Sequence, residues 1–157
     1  MNGFDESWLR EYRTRMTAMR GQEMPLVVSA AVVEFDLTTP VRSLNKLLRM
    51  HWAVRREYRR GLSTEIARQV MTATARLPFV QANVIVTRYA IQELDTDNLY
   101  GGCKDVVDCL LIRSETHPFG LGIIVDDAPA HMTLEAHSVR VGTRREQRTH
   151  VRIERLT

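Results

Sequence analysis

The sequence contains neither GxxxxGK[ST] nor GxGxxG, so it gives no support to a phosphate-cradling loop or a dinucleotide site. Its five histidines, His51, His117, His131, His137 and His150, fit neither HExxH nor a zinc-finger spacing. Cysteine is scarce as well. Cys103 and Cys109 form no CxxC or Cys/His arrangement, which predicts free thiols in a reducing compartment and no zinc site. No apolar run approaches the roughly 18 residues of a membrane span. The N-terminal stretch, with Asp5, Glu6 and Arg10, lacks the hydrophobic centre of a signal peptide. These absences predict an intracellular protein without a membrane segment.

What is present is ordinary for a globular chain: 157 residues, 44% of them apolar and 26% charged, enough for one domain with a single core. Trp8, Leu9, Tyr12, Met16 and Met19 recur at helical spacing and predict an amphipathic helix over 6–20. The Val/Ala-rich stretch 25–37, ending in alternating Val33, Glu34, Phe35, Asp36 and Leu37, predicts a strand. A stripe of Val54, Tyr58, Leu62, Ile66, Val70, Ala73 and Leu77 predicts one long helix over about 51–75, running through Gly61 and stopped by Pro78. β-Branched residues over 80–91 predict a central strand. Residues 132–141 and 149–153 read as two further strands, joined around Gly142-Thr143 as an antiparallel hairpin. The expected architecture is α+β: a single domain with a mixed β-sheet and helices packed mainly on one face.

The net charge is only +3, but its distribution is uneven. Arg42, Lys46, Arg49, Arg55, Arg56, Arg59 and Arg60 crowd a window whose one acidic residue is Glu57. A second group, Arg140, Arg144, Arg145, Arg148, Arg152 and Arg155, lies near the C-terminus. Each is either a solvated face or a polyanion-binding one; arginine's planar fork suits phosphate.

The stretch 93–108 carries the chemistry. A helix over about 98–113 places Leu99, Cys103, Val106, Val107, Leu110 and Leu111 on a core-facing side, and Asp97, Gly101, Lys104 and Asp108 on a stripe facing away. Asp95 and Asp97, two apart on an extended approach, project to one side, where a cation would relieve their repulsion. Equally, either Asp97 or Asn98 is an ordinary helix cap, and Lys104 an ordinary surface lysine paired with Asp108 at i+4. A second acidic pair, Asp126-Asp127, follows the apolar run Ile123-Ile124-Val125. If Asp95, Asp97 and Asp127 converge, three carboxylates without competing nitrogen or sulfur ligands suit Mg2+ or Mn2+. Lys104 would then contact a scissile phosphate.

Asp95-Thr-Asp97-Asn98-Leu99, then Lys104 and Asp108, then Ile-Val-Asp126-Asp127, resemble the signature of the RusA family of Holliday junction resolvases, especially versions carried by phages and prophages. Ser-Leu-Asn45-Lys46-Leu-Leu-Arg49-Met-His51-Trp52-Ala is similar to the family's N-terminal motif. The resemblance spans roughly residues 40–142. It implies a RusA-like endonuclease domain over 25–157, preceded by a helical extension over 1–24 that has no family counterpart. It further implies a Mg2+-dependent (Mn2+ possible in its place) endodeoxyribonuclease. As a homodimer, such an enzyme resolves four-way DNA junctions by paired cuts, in the cytoplasm of a bacterial or phage-infected cell.

Carried over residue by residue, the resemblance puts the metal on Asp95, Asp97 and Asp127 and the essential lysine on Lys104. Asp108 and Asp126 stand behind them, and Asn45, Lys46, Arg49, Arg55, Arg56, Arg59 and Arg60 are expected to face DNA. The insertion Gly101-Gly102-Cys103 and an extended loop before Asp126 depart from the family's smallest members. Two other readings keep part of this pattern. One is a non-catalytic phage or prophage nucleic-acid-binding accessory protein; the other is an enzyme acting on small phosphorylated substrates, for which Arg55, Arg56, Arg59 and Arg60 would not be needed.

Overall fold

Alternation decides the sheet. In β1 (Val32–Leu37), Val33, Phe35 and Leu37 point into the core while Glu34 and Asp36 face solvent. β2 (Ala82–Ala90) buries Ala82, Val84 and Val86, and β4 (Arg148–Arg155) buries Thr149, Val151 and Ile153. β3 (Met132–Arg140) alternates only between half-buried and exposed, as an edge strand does. The computed structural model describes residues 31–70 and 77–157. The helix expected over 6–20, the start of the strand expected from residue 25 and the end of the long helix at 71–76 lie outside the described residues.

The strands form one four-stranded mixed sheet in the order β1-β4-β2-β3. The expected β3–β4 hairpin is therefore wrong: β2 lies between them, parallel to β3 from Ala82↔Met132 to Ala90↔Arg140 and antiparallel to β4 at Val86↔Val151. A parallel pair needs a crossover, and residues 91–131, with their helices, supply it. The arginine-bearing bend at 141–147 passes the end of β2 as a one-turn 3-10 helix, Arg144–Glu146, closed by a reciprocal cap between Thr143 and Glu146.

Helices cover one face. α1 (Leu44–Arg49) is capped by the Ser43 hydroxyl, which accepts from the Lys46 N–H at 3.2 Å. α2 (Trp52–Val70) buries Leu62 and Ile66 and rests Tyr58 and Val70 against the core, but its first stripe residue, Val54, is 56% exposed. Gly61 is accommodated because it faces open space. The single helix expected over 98–113 is two short ones, α3 (Thr96–Gly102) and α4 (Lys104–Leu110). At the joint the Cys103 N–H is shared between the carbonyls of Leu99, at 3.2 Å, and Tyr100, at 3.1 Å. Leu99, Cys103, Val106, Val107, Leu110 and Leu111 are buried as their spacing predicts. Among the described residues no helix is long and apolar enough to cross a membrane.

Candidate functional site

The two segments of the N-terminal and acidic motifs meet at the start of α3. Asp95 caps that helix: its Oδ1 accepts from the Asn98 N–H at 3.0 Å, and its Oδ2 from Asn98 Nδ2 at 2.8 Å. The Asn98 side-chain oxygen in turn accepts from the Asn45 N–H at 3.1 Å, tying α1 to α3. These bonds from Asn98, the backbone one foremost, hold the exposed Asp95 carboxyl below its ordinary range. Asp97 lies in the first turn of α3, also exposed.

Close approach of α1 to α3 depends on the glycines. A Cβ on Gly102 would stand 2.1 Å from the Arg42 carbonyl oxygen, and one on Gly101 2.7 Å from Leu44 side-chain carbons. Gly101 and Gly102 are thus the seat on which α1 rests. This packing also overturns the expected outward stripe, because Gly101 faces α1 rather than solvent and Asp108 is buried.

Two turns further on, Lys104 is held between acids. Its Nζ is 2.7 Å from Asp108 Oδ1 and donates to Asp127 Oδ2 at 3.0 Å. The i+4 pairing with Asp108 read from helical spacing is present, and the contact with Asp127 is one that neither sequence reading of this lysine contained. Partial burial pulls the ammonium's pKa down, but the two carboxylates more than offset this and the net shift is upward. Asp127 is shifted below the ordinary carboxylate range, chiefly by the Lys104 hydrogen bond. The sign follows from both. The ion pair's contribution is complete between the ordinary aspartate and lysine values, and is lost as pH falls from the first through the lowered Asp127 value or rises from the second through the raised Lys104 value. Lys104 and Asp127 share a cavity of about 370 Å³ with Leu44, Tyr100, Met132 and Leu134 among its walls.

Asp126 is exposed and spends one oxygen on the Asp127 N–H, at 2.8 Å. Asp127 arrives from a segment that bridges Phe79 through Ile124, just before β2 begins, whereas Asp95 follows the end of β2. The chain returns through α3, and the seven residues from Asp97 to Lys104 advance about 10 Å at 1.5 Å per residue. The three carboxylates proposed for a metal have the right chemistry for a hard cation. They are not gathered on one point, however, and no group of three potential ligands among the described residues is. Asp95 is held by Asn98 and Asp127 by Lys104.

Of the basic window, Arg55 and Arg59 turn inward. Arg55 donates from Nε and Nη2 to Asp105 at 2.9–3.3 Å, and Arg59 Nε donates to the same carboxylate at 2.8 Å. Hydrogen bonding to Asp105 holds the Arg55 guanidinium above its ordinary value. Asn45, Lys46, Arg49, Arg56 and Arg60 remain exposed. Arg60 lies 3.6 Å from Glu57 and over the Phe119 ring, while Lys46, Arg49 and Arg56 have no ion-pair partner among the described residues.

The sequence reading missed Asp105, which is fully buried, and His117, whose Nδ1 lies 3.6 Å from Asp108 Oδ1. A signal for the former existed: Arg55 and Arg59 are one turn apart and converge on one acid. It missed too that Cys109 joins Cys103 in the same core, where burial pushes each thiol up to about 12. Comparison of the chain with protein-family models gives no match, and comparison with curated proteins gives none either.

Proposed function

We propose that this chain is a structure-specific endodeoxyribonuclease that resolves four-way DNA junctions with Mg2+ or Mn2+, as a homodimer with two equivalent sites, in recombination and repair. The observation that carries the reading is the Lys104 ammonium held against Asp127 in the wall of a cavity, on a molecule whose Lys46, Arg49 and Arg56 have no acidic partner among the described residues. If Asp127 gives way to a phosphate oxygen, Lys104 would meet it while still braced by Asp108, and an ammonium in a partly desolvated site stabilises negative charge that develops there. The two-fold symmetry of a junction's crossover matches a C2 pair of sites. A divalent cation, when bound, would supply Lewis-acid stabilisation and a more acidic water. Asp95, Asp97 and Asp127 would have to be drawn together to hold it.

The second reading, a nucleic-acid-binding accessory protein that does not cut, is favoured by one feature: both Asp95 oxygens are engaged by Asn98, Oδ1 by its backbone N–H and Oδ2 by its side-chain amide. Cleavage separates the two. Wild-type protein is incubated with a four-way junction, a linear duplex and a single strand, with and without Mg2+. Metal-dependent paired cuts in the junction are expected, abolished by Asp95→Asn, Asp97→Asn or Asp127→Asn with junction binding retained. Lys104→Met should lower the single-turnover rate by roughly 10²–10³-fold. Junction binding without cleavage under any metal leaves the accessory reading; full activity in one aspartate variant removes that residue from the site.

A further inference from the structure

The corner where α1 meets α2 exposes apolar surface that no core claims. Trp52 is 71% exposed and Leu48 68%. One side of the Trp52 ring is approached by His51, with ring centroids 5.5 Å apart and planes tilted by 36°. Arg56 lies one turn along α2 from Trp52 and so shares its face. On α1, Lys46, Leu48 and Arg49 are exposed, and only Leu47 is buried. The corner thus offers an exposed indole on a stretch whose exposed cations, Lys46, Arg49 and Arg56, have no acidic partner among the described residues, a surface suited to a ligand that is both flat and anionic.

We propose that Trp52 is a stacking platform for an unpaired nucleobase, with Arg49, Arg56 and Lys46 taking the flanking phosphates. The inference rests on the nucleic-acid reading above and adds the part of the ligand that is read, a base freed from its pair. Three considerations select it. Every base offers a π-face to an indole, and arginine adds phosphate contact and cation–π attraction in the same groove. A second copy of the chain is disfavoured, because an isologous contact would set the Arg49 and Arg56 patch against its own image, and Glu57 is the one acid in that stretch of sequence to offset it. The patch is also continuous with the motif corner: the Asn45 N–H at the start of α1 bonds Asn98, and Arg49 stands about 6 Å further along that helix at 1.5 Å per residue.

The chain has two tryptophans, so Trp8→Phe leaves Trp52 as the sole indole reporter in the full-length protein. Its fluorescence is titrated with oligothymidylate, a four-way junction, fully paired duplex, and phosphatidylserine-containing vesicles, all without divalent cation. Saturable quenching by oligothymidylate and by the junction is expected, with much less by duplex. Trp52→Ala should weaken oligothymidylate binding by roughly tenfold or more, and Trp52→Phe should recover most of the affinity. Three results overturn the proposal: no quenching with unchanged Trp52→Ala affinity, quenching by vesicles but not by DNA, or a blue shift that follows protein concentration without ligand. If Trp52→Ala does not fold, the Trp8→Phe titration and Trp52→Phe still decide. With metal absent, a protein that binds without cutting still gives the quench, and one that cuts without stacking gives none.

Discussion

The two arginine-rich regions look alike as sequence and differ as surfaces. On the open face of the sheet, β4 brings Arg152 to Glu34 at 2.6 Å and to Glu154 at 2.7 Å, and Arg148 to 3.8 Å from Asp36 with its guanidinium over the Tyr89 ring. Cross-strand acids meet those cations where they stand. Arg140, Arg144 and Arg145 of the same group, at and beside the bend, are exposed without an ion-pair partner among the described residues, and the window on α1 and α2 divides as well. Arg55 and Arg59 are consumed by a buried acid, Arg42 lies 4.4 Å over the Tyr58 ring, and Lys46, Arg49 and Arg56 are left open. Surface potential therefore follows pairing, not residue count. A region with one acid in its own sequence borrows a second, Asp105, from a helix about fifty residues away.

The largest effect that would sharpen this contrast is at Asp105. Its side chain is fully buried and takes three hydrogen bonds from Arg55 and one from Arg59. Asp105→Ala leaves two guanidiniums, each about a quarter exposed, around an empty acceptor site. Breaking one side of a buried pair costs about 3–5 kcal/mol, and the partial exposure of the arginines places this case toward the lower end. Urea unfolding with an unchanged m-value is the measurement. A loss under 1 kcal/mol would mean that α2 is not anchored through this acid, and that Arg55 and Arg59 are as free as their neighbours.

The next test sets the two regions directly against each other. Replacing Lys46, Arg49 and Arg56 with alanine should reduce the salt slope of junction binding by roughly 2–3, at about 0.9 for each phosphate no longer neutralised. Replacing Arg148 and Arg152 together should leave the slope alone, because their charges are already met by Asp36, Glu34 and Glu154. The same slope change in both variants would erase the distinction between paired and open cations. A change only in the β4 variant would move the nucleic-acid surface to the sheet.

How far the sequence carried depends on which period was being read. Period-2 alternation in β1 and β2 and the apolar stripe of α3 and α4 predict the buried residues because one element carries the whole signal. Strand order is a different matter. The alternation that makes 132–141 and 149–153 strands is silent on whether they pair with each other, and β2 intervenes through pairing between segments some sixty residues apart. The same limit applies to the site. Lys104 meeting Asp108 follows from helical spacing, whereas its meeting Asp127 was not foreseen, because it joins two segments more than twenty residues apart. Neither spacing nor resemblance showed that Asp95 would be held by Asn98 at a distance from Asp127, nor that Gly101 and Gly102 would seat α1. Those facts belong to the packing of one helix on another.

The smallest expected effect compares like with like, since each region stacks one guanidinium on one tyrosine. Arg148 lies 4.1 Å from the Tyr89 ring centroid on the open face of the sheet, with about half of its side chain accessible. Arg42 lies 4.4 Å from the Tyr58 ring at the back of α1, where Tyr58 is packed against the core. Cation–π attraction is worth about 0.5–1 kcal/mol at exposed sites and about 2 kcal/mol or more once desolvated. The nearly equal distances therefore predict unequal losses: about 0.5–1 kcal/mol for Arg148→Ala and about 2 kcal/mol for Arg42→Ala. Arg42 also donates to Met50 Sδ at 3.2 Å, so each loss is measured as a double-mutant cycle with Tyr58→Leu or Tyr89→Leu, which cancels interactions that the pair does not share. Chemical denaturation at two salt concentrations gives the coupling energies. Equal couplings would show that burial behind α1 adds nothing, and the difference between the two basic regions would then lie in their acids alone.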